Sequence, residues 1–272
     1  MEALDIVNEV ITHKSIAQIN VRVRPGPEGY ALVLRLRLLL YAHLMALFST
    51  RKLRNHLKKR PEKLKCLLFQ TLPDRRTIDR WKKKLDKELE QLVRLTGDKY
   101  LQTKISEWTI LDSTPLVDEF DSESKIGYNS QGSFKGFKLH MSCDEKEVPL
   151  RAVVTTANVH DSQKAEELLA PTERTGGDSG YDNKSIKQAA KNIGSKPIFV
   201  HNPRREGKEK KRKTPKILKK VRVIIEQCNG FIKSEVMQHA WTIVKGLAAK
   251  TVFALTAVLT MQSLALYSIG TK

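Results

Sequence analysis

Near Gly97 the spacing of apolar residues changes from a helical period to a strand period, and no other feature constrains the fold as much. Up to residue 100 the pattern is helical for most of its length. Leu32 to Leu47 is an apolar run interrupted by Arg35 and Arg37, which predicts a core helix and not a bilayer span. A basic stretch follows from Arg51 to Lys65. Pro73 and Asp74 then mark a turn, and Thr77 is placed to cap a helix carrying Arg80, Lys82, Lys83 and Lys84 around Trp81. A short helix, a turn and a basic second helix is the pattern of helix-turn-helix DNA readers, and equally that of a solvated charged helix. Trp81 reads as core before it reads as a base-stacking residue.

Beyond Gly97 the elements alternate. Trp108-Thr-Ile-Leu-Asp112 predicts a strand ending in a carboxylate, and Ser124 to Lys135 a polar loop. Gly136–Cys143 and Val148–Ala157 predict two further strands joined by a turn at 144–147. A helix is expected over Asp161–Ala170 and another over Lys184–Lys191, with a strand at Pro197–His201. Strands followed by alternating helix and strand indicate a mixed α/β sheet covered by helices. Between Arg204 and Lys220 lie ten Lys/Arg and two Glu, which predicts a basic loop. From Lys219 to Lys233 the apolar residues Val221, Ile224, Ile225, Cys228, Phe231 and Ile232 recur at helical steps, with Arg222, Glu226 and Lys233 on one side: either a solvated face with one Arg–Glu pair, or a metal-ligand glutamate whose neighbouring cations hold a phosphate backbone.

Charge narrows the partner. The 272 residues hold 49 Lys+Arg against 30 Asp+Glu, a net +19, which suits a polyanion such as DNA, RNA or an anionic membrane surface. Cys66, Cys143 and Cys228 lie far apart in sequence and form neither a disulfide framework nor a zinc motif, so a reducing cytoplasm is expected. Met1 to Asn20 has acids and no apolar core, which argues against a signal peptide. Thr251 to Gly270 has no charge and is long enough to span a membrane. Its Ala, Thr, Ser and Gln262 content favours a buried terminal helix instead.

Three acids stand out. Asp112 ends a strand, Asp178 lies between Gly177 and Ser179-Gly180, and Glu226 sits on a helix. If the fold brought them together, three carboxylates would repel one another without a cation, and a hard divalent metal is the natural partner. Asp182 and Asp161 read as caps of the helices that follow them, and His140 and His160 as structural.

Several motifs, in order, resemble those of insertion-sequence transposases of the Asp-Asp-Glu class. Leu111-Asp112-Ser113-Thr114 is similar to the first-aspartate strand of that family, Lys135-Gly-Phe-Lys138-Leu-His140 to its second strand, and Thr156-Ala-Asn-Val-His-Asp161 to the exit of its third. Gly177-Asp178-Ser-Gly-Tyr-Asp182 resembles the second-aspartate motif, and Arg222-x3-Glu226-x6-Lys233 the signature around the catalytic glutamate. Lys219 stands at the tyrosine position of that signature, and Gly176-Gly177 where apolar residues are usual.

The resemblance implies a ribonuclease-H-like α/β domain over 105–240, containing the basic loop 204–220. A helical, helix-turn-helix-like DNA-binding region would precede it over 1–100, and an apolar helix over 241–272 would pack on it. It implies that Asp112, Asp178 and Glu226 bind Mg2+ or Mn2+, as two ions, for phosphodiester cleavage and strand transfer. Arg222, Lys233, Lys138, Arg80, Lys83 and Lys219 would contact the phosphates of double-stranded DNA, namely transposon ends and target. A homodimer or larger assembly in the cytoplasm is implied, with no membrane. A transposase-derived DNA-binding protein without catalysis, or a metal-dependent nuclease of the same fold, would use the same residues.

Overall fold

The computed structural model describes residues 3–19, 29–129, 132–202 and 215–270. They form two compact units, one from Met1–Thr96 with Ile232–Lys272 and one from Gly97–Phe231.

The first unit is helical. It contains α1 (Ala3–Val10), α2 (His13–Ile16), α3 (Leu32–Leu44), α4 (Thr50–Lys58), α5 (Pro61–Cys66) and α6 (Arg75–Lys84); α7 (Asp86–Thr103) leads out of it. The arginines that interrupt α3 are tied to main chain, Arg37 Nε donating to Ile11 O at 2.9 Å and Arg35 Nε to Tyr30 O at 2.6 Å. Such bonds let charged side chains lie in an apolar helix. Asp74, and not Thr77, caps α6: its Oδ1 accepts from Thr77 N at 2.9 Å. Trp81 is core, packed edge-on to Tyr30 at 5.2 Å. Residues 67–74 separate α5 from α6 through Leu68 at φ 66°, a longer link than the helix-turn-helix turn of roughly three to four residues.

The second unit is a mixed sheet flanked by helices, as expected of a ribonuclease-H-like fold. Its strands are β1 (Trp108–Val117), β2 (Lys125–Asn129), β3 (Gly132–Cys143), β4 (Pro149–Thr156), β5 (Arg174–Gly177) and β6 (Lys196–Phe199). Their order is β2-β3-β1-β5-β6, with β4 also paired to β3. β3 runs antiparallel to β1, β2 and β4, whereas β5 is parallel to β1 and to β6. On one face α8 (Lys184–Asn192) and its neighbours close a cluster of Leu111, Ala165, Leu168, Tyr181, Ile186 and Phe199. Side chains alternate along a strand. The opposite face receives α9 (Lys216–Phe231), which buries Val221, Ile225 and Cys228.

Four expectations change. β1 continues to Val117, so Asp112 lies within a strand and not at its end, because β3 pairs with it from Ile110 to Val117. The expected loop over 124–135 holds β2, whose Gly127 lies so close to Ala157 that a Cβ there would meet Ala157 O at 2.3 Å. The expected helix over 161–170 is two short 3-10 turns, Asp161–Gln163 and Glu166–Leu168, pinned where Ala165 and Leu168 enter the core. The basic loop gives way to helix at Lys216; its residues 204–214 lie outside the described residues.

The terminal helix also differs. After α9 the backbone widens into a π turn, Ile232–Val236, and then reverses through Gln238 and His239 at φ 47° and 53°. α10 (Leu247–Gly270) packs with α1, α3 and α6 in the helical unit, where the sequence pattern had suggested the sheet domain. A helix apolar all round needs neighbours on every side, and a group of helices supplies them. By length and composition α10 could cross a membrane, yet 67% of its most apolar window is buried. Lys250 Nζ, fully buried, donates to Trp241 O at 2.7 Å, and Gln262 Nε2 to Val93 O at 3.0 Å.

Candidate active site

The site begins with strand register. β1 and β5 run parallel with Leu111 opposite Gly177, so the next residues, Asp112 and Asp178, come side by side where β5 ends. Gly176 and Gly177 make this junction possible. A Cβ on Gly176 would lie 3.1 Å from the Trp108 ring and 3.3 Å from Leu218 of α9; one on Gly177 would lie 3.0 Å from the Tyr181 ring. The glycines therefore allow large side chains to close over β5 from both faces. Asp178 turns the chain into a 3-10 turn, its Oδ1 accepting from Gly180 N at 2.8 Å.

Asp112 faces α9. Asn229, on the buried side of that helix, donates Nδ2 to Asp112 Oδ2 at 3.0 Å. Burial raises the Asp112 carboxyl to about 7, and the charges of Asp178, Asp161 and Glu226 push the same way against a hydrogen bond from the Ser113 backbone. Three other acids thus act on Asp112 at this end of the sheet.

Glu226 lies one helical turn before Asn229, with an exposed carboxylate 3.6 Å from Arg222 Nη2. Among the described residues no three His, Cys, Asp or Glu side chains converge closely enough to hold a metal ion. The structure therefore brings Asp112 and Asp178 together and leaves Glu226 turned towards Arg222.

The other sequence candidates divide. Lys219, Arg222, Arg80 and Lys83 are exposed. Lys233 lies in the π turn, half-buried, and burial lowers its ammonium below the ordinary lysine range. Lys138 is nearly buried, its Nζ donating to Asp161 Oδ1 at 2.9 Å and to Val159 O at 3.2 Å, so its ammonium is engaged within the fold. Lys82, on the basic helix α6, is likewise turned inwards: it donates to Phe48 O at 2.6 Å, and burial lowers its ammonium to about 8.

Asp161 and Asp182 are not caps. His160 caps the turn after it, leaving Asp161 to pair with Lys138 and to sit 3.6 Å from His140 Nδ1. His140 is fully buried, with Nε2 2.8 Å from Thr155 Oγ1; burial lowers its ring to about 4 although Asp161 opposes this. Asn183 caps α8, while Asp182 binds Lys187 and accepts from Asn202 N at 2.8 Å. Against its burial, those bonds hold the Asp182 carboxyl below the usual carboxylate range. That pairing leaves Asp178, and not Asp182, beside Asp112.

Asn229 and Asp161 escaped the sequence reading as parts of this site. A signal for Asn229 existed: it is a lone amide on a helix face otherwise made of Val221, Ile225, Cys228 and Ile232.

A model of the transposase DDE domain family matches residues 103–262, more than half of the chain. The chain belongs to that family. No curated protein and no solved structure matches it significantly. The matched span of this transposase runs from before β1 into α10 and contains Asp112, Asp178 and Glu226. The family carries a transposase-type function: it is one of polynucleotidyl transferases that act on DNA and generally use divalent metals. The donor types beside Asp112 suit a hard divalent cation. They are oxygens, the central carboxyl is buried among other acids, and Asn229 Oδ1 is a buried acceptor without a hydrogen-bond partner among the described residues.

Proposed function

We propose that this transposase cleaves phosphodiesters at the ends of its element and joins the freed 3′-hydroxyl to target DNA. The observation that carries this reading is the β1–β5 register that sets Asp112 beside Asp178 under α9, within a chain of the DDE family. Asp112, Asp178 and Glu226 would hold divalent cations, Mg2+ or Mn2+, which stabilise the attacking and leaving oxygens of an in-line displacement. Glu226 joins the centre by leaving Arg222. An exposed pair of this kind holds it by only ~0.3–0.5 kcal/mol, so the change costs little. Arg222, once released, and Lys219 lie on the same exposed surface of α9 and would position DNA phosphates. Arg80 and Lys83 would add salt-sensitive affinity for double-stranded DNA. Work on paired ends calls for a homodimer or larger assembly, and the cytoplasm supplies the DNA.

The test is Mg2+- or Mn2+-dependent cleavage and joining of DNA carrying the element's flanking repeats. Wild type should cut and join. Asp112→Ala, Asp178→Ala and Glu226→Ala should each lose at least ~100-fold in rate while still binding DNA. Cutting without joined product would make the protein a nuclease. Binding without cutting would make it a transposase-derived DNA-binding protein. An active Asp178→Ala beside an inactive Asp182→Ala would move the second aspartate.

A further inference from the structure

Asn229 is the one residue of the buried α9 face whose chemistry neither packing nor the three acids account for. Its neighbours on that face, Val221, Ile225, Cys228 and Ile232, are all buried, and Asn229 itself is 5% exposed. Placing an amide there costs free energy unless both ends are bonded. Only the Nδ2 end is, to Asp112 Oδ2 at 3.0 Å, while Oδ1 is buried without a hydrogen-bond partner among the described residues. In this contact the NH2 group donates and the carboxylate oxygen accepts. Asn229 lies one helical turn after Glu226, whose charge also acts on Asp112.

We infer that Asn229 is a positioning residue of the metal centre: its amide N–H fixes one oxygen of Asp112, and its Oδ1 is a neutral oxygen facing a divalent cation or the cation's water. This rests on the reading of Asp112 as a metal ligand given above. Partners that orient a ligand in this way typically contribute about 10–100-fold to metal affinity.

Mn2+ binding by full-length protein, measured by calorimetry without DNA, tests the assignment without relying on activity. Asn229→Leu keeps the branching of the side chain, in a somewhat larger group, and removes both polar ends. It should stay folded and should bind Mn2+ about 10-fold or more weakly. Asn229→Asp keeps the shape and sets a second carboxylate against Asp112. It should melt lower than wild type without metal and gain more from added Mn2+ than wild type does. This second variant keeps the test sharp if the leucine variant misfolds. Wild-type Mn2+ affinity in Asn229→Leu, or no extra metal stabilisation in Asn229→Asp, would overturn the role of Asn229 alone. No Mn2+ binding by wild type, with Asp112→Asn indistinguishable from it, would overturn the metal reading and the role of Asn229 together.

Discussion

α10 and α9 both bury polar side chains, and they treat them in opposite ways. In α10 the polar groups close on main chain: Thr256, Thr260 and Ser263 hydroxyls donate to carbonyls one turn back at 2.6, 2.8 and 2.6 Å, and Lys250 reaches Trp241 O. In α9 the buried amide of Asn229 reaches out of its helix to a carboxylate and leaves its own oxygen open. The first pattern serves architecture, because each hydroxyl and ammonium so tied is removed from further chemistry. The second serves a ligand, because an unsatisfied buried acceptor beside clustered acids is costly until a cation or donor meets it.

If that contrast holds, damage to α10 should be felt as lost stability. Leu259→Ala, at a fully buried position, should cost ~2–5 kcal/mol in denaturant unfolding, and a cost near zero would show that α10 is not the core of its unit. The helical unit should also be acid-sensitive. His43 is half-buried, its ring packed against Phe48 and Phe253, and burial first, with Lys82 adding, lowers its ring from 6.5 to about 4. The neutral ring's contribution is present above pH 6.5 and is lost as pH falls towards 4, by about 3 kcal/mol at most. Unfolding curves from pH 7 to 4 should show this loss in wild type and a smaller one in His43→Gln.

On the sheet side, Gly176→Val should cost ~1–3 kcal/mol, because the added carbons meet Trp108 and Leu218 where α9 crosses β5. Metal binding should weaken with it, a coupling absent from Leu259→Ala. The smallest expected effect has the opposite sign. Asp112→Asn removes a buried acid from the neighbourhood of Asp178, Asp161 and Glu226, and should raise the stability of metal-free protein at neutral pH by ~0.5–2 kcal/mol. A destabilised Asp112→Asn would mean that the carboxylate serves the fold.

Much of the sheet domain was legible because its signals are local. Strand periods located most of β1, β3, β4 and β6, and the Gly177-Asp178-Ser-Gly180 run marked a backbone built for close approach. β2 was hidden because Lys125-Ile-Gly-Tyr-Asn is short and polar-flanked, and it becomes a strand only when β3 pairs with it. The short turns of 161–168 were hidden for a related reason: local propensity favoured a helix, and core anchoring of Ala165 and Leu168 overrode it. The phosphate contact implied for Lys138 and the basic helix carrying Lys82 rest on charge, and sequence does not show which charges are spent inside the fold.

The sequence by itself determined the class of the chain and its candidate acids, because periodicity, motif order and charge are written residue by residue. Tertiary structure decided the rest. It set Asp178 beside Asp112 through a four-residue strand, gave Asp182 to Lys187, and brought Asn229 to the carboxylate from 117 residues away. Those outcomes depend on which groups become neighbours when apolar surface is buried, and a sequence records those pairings only through the fold it specifies.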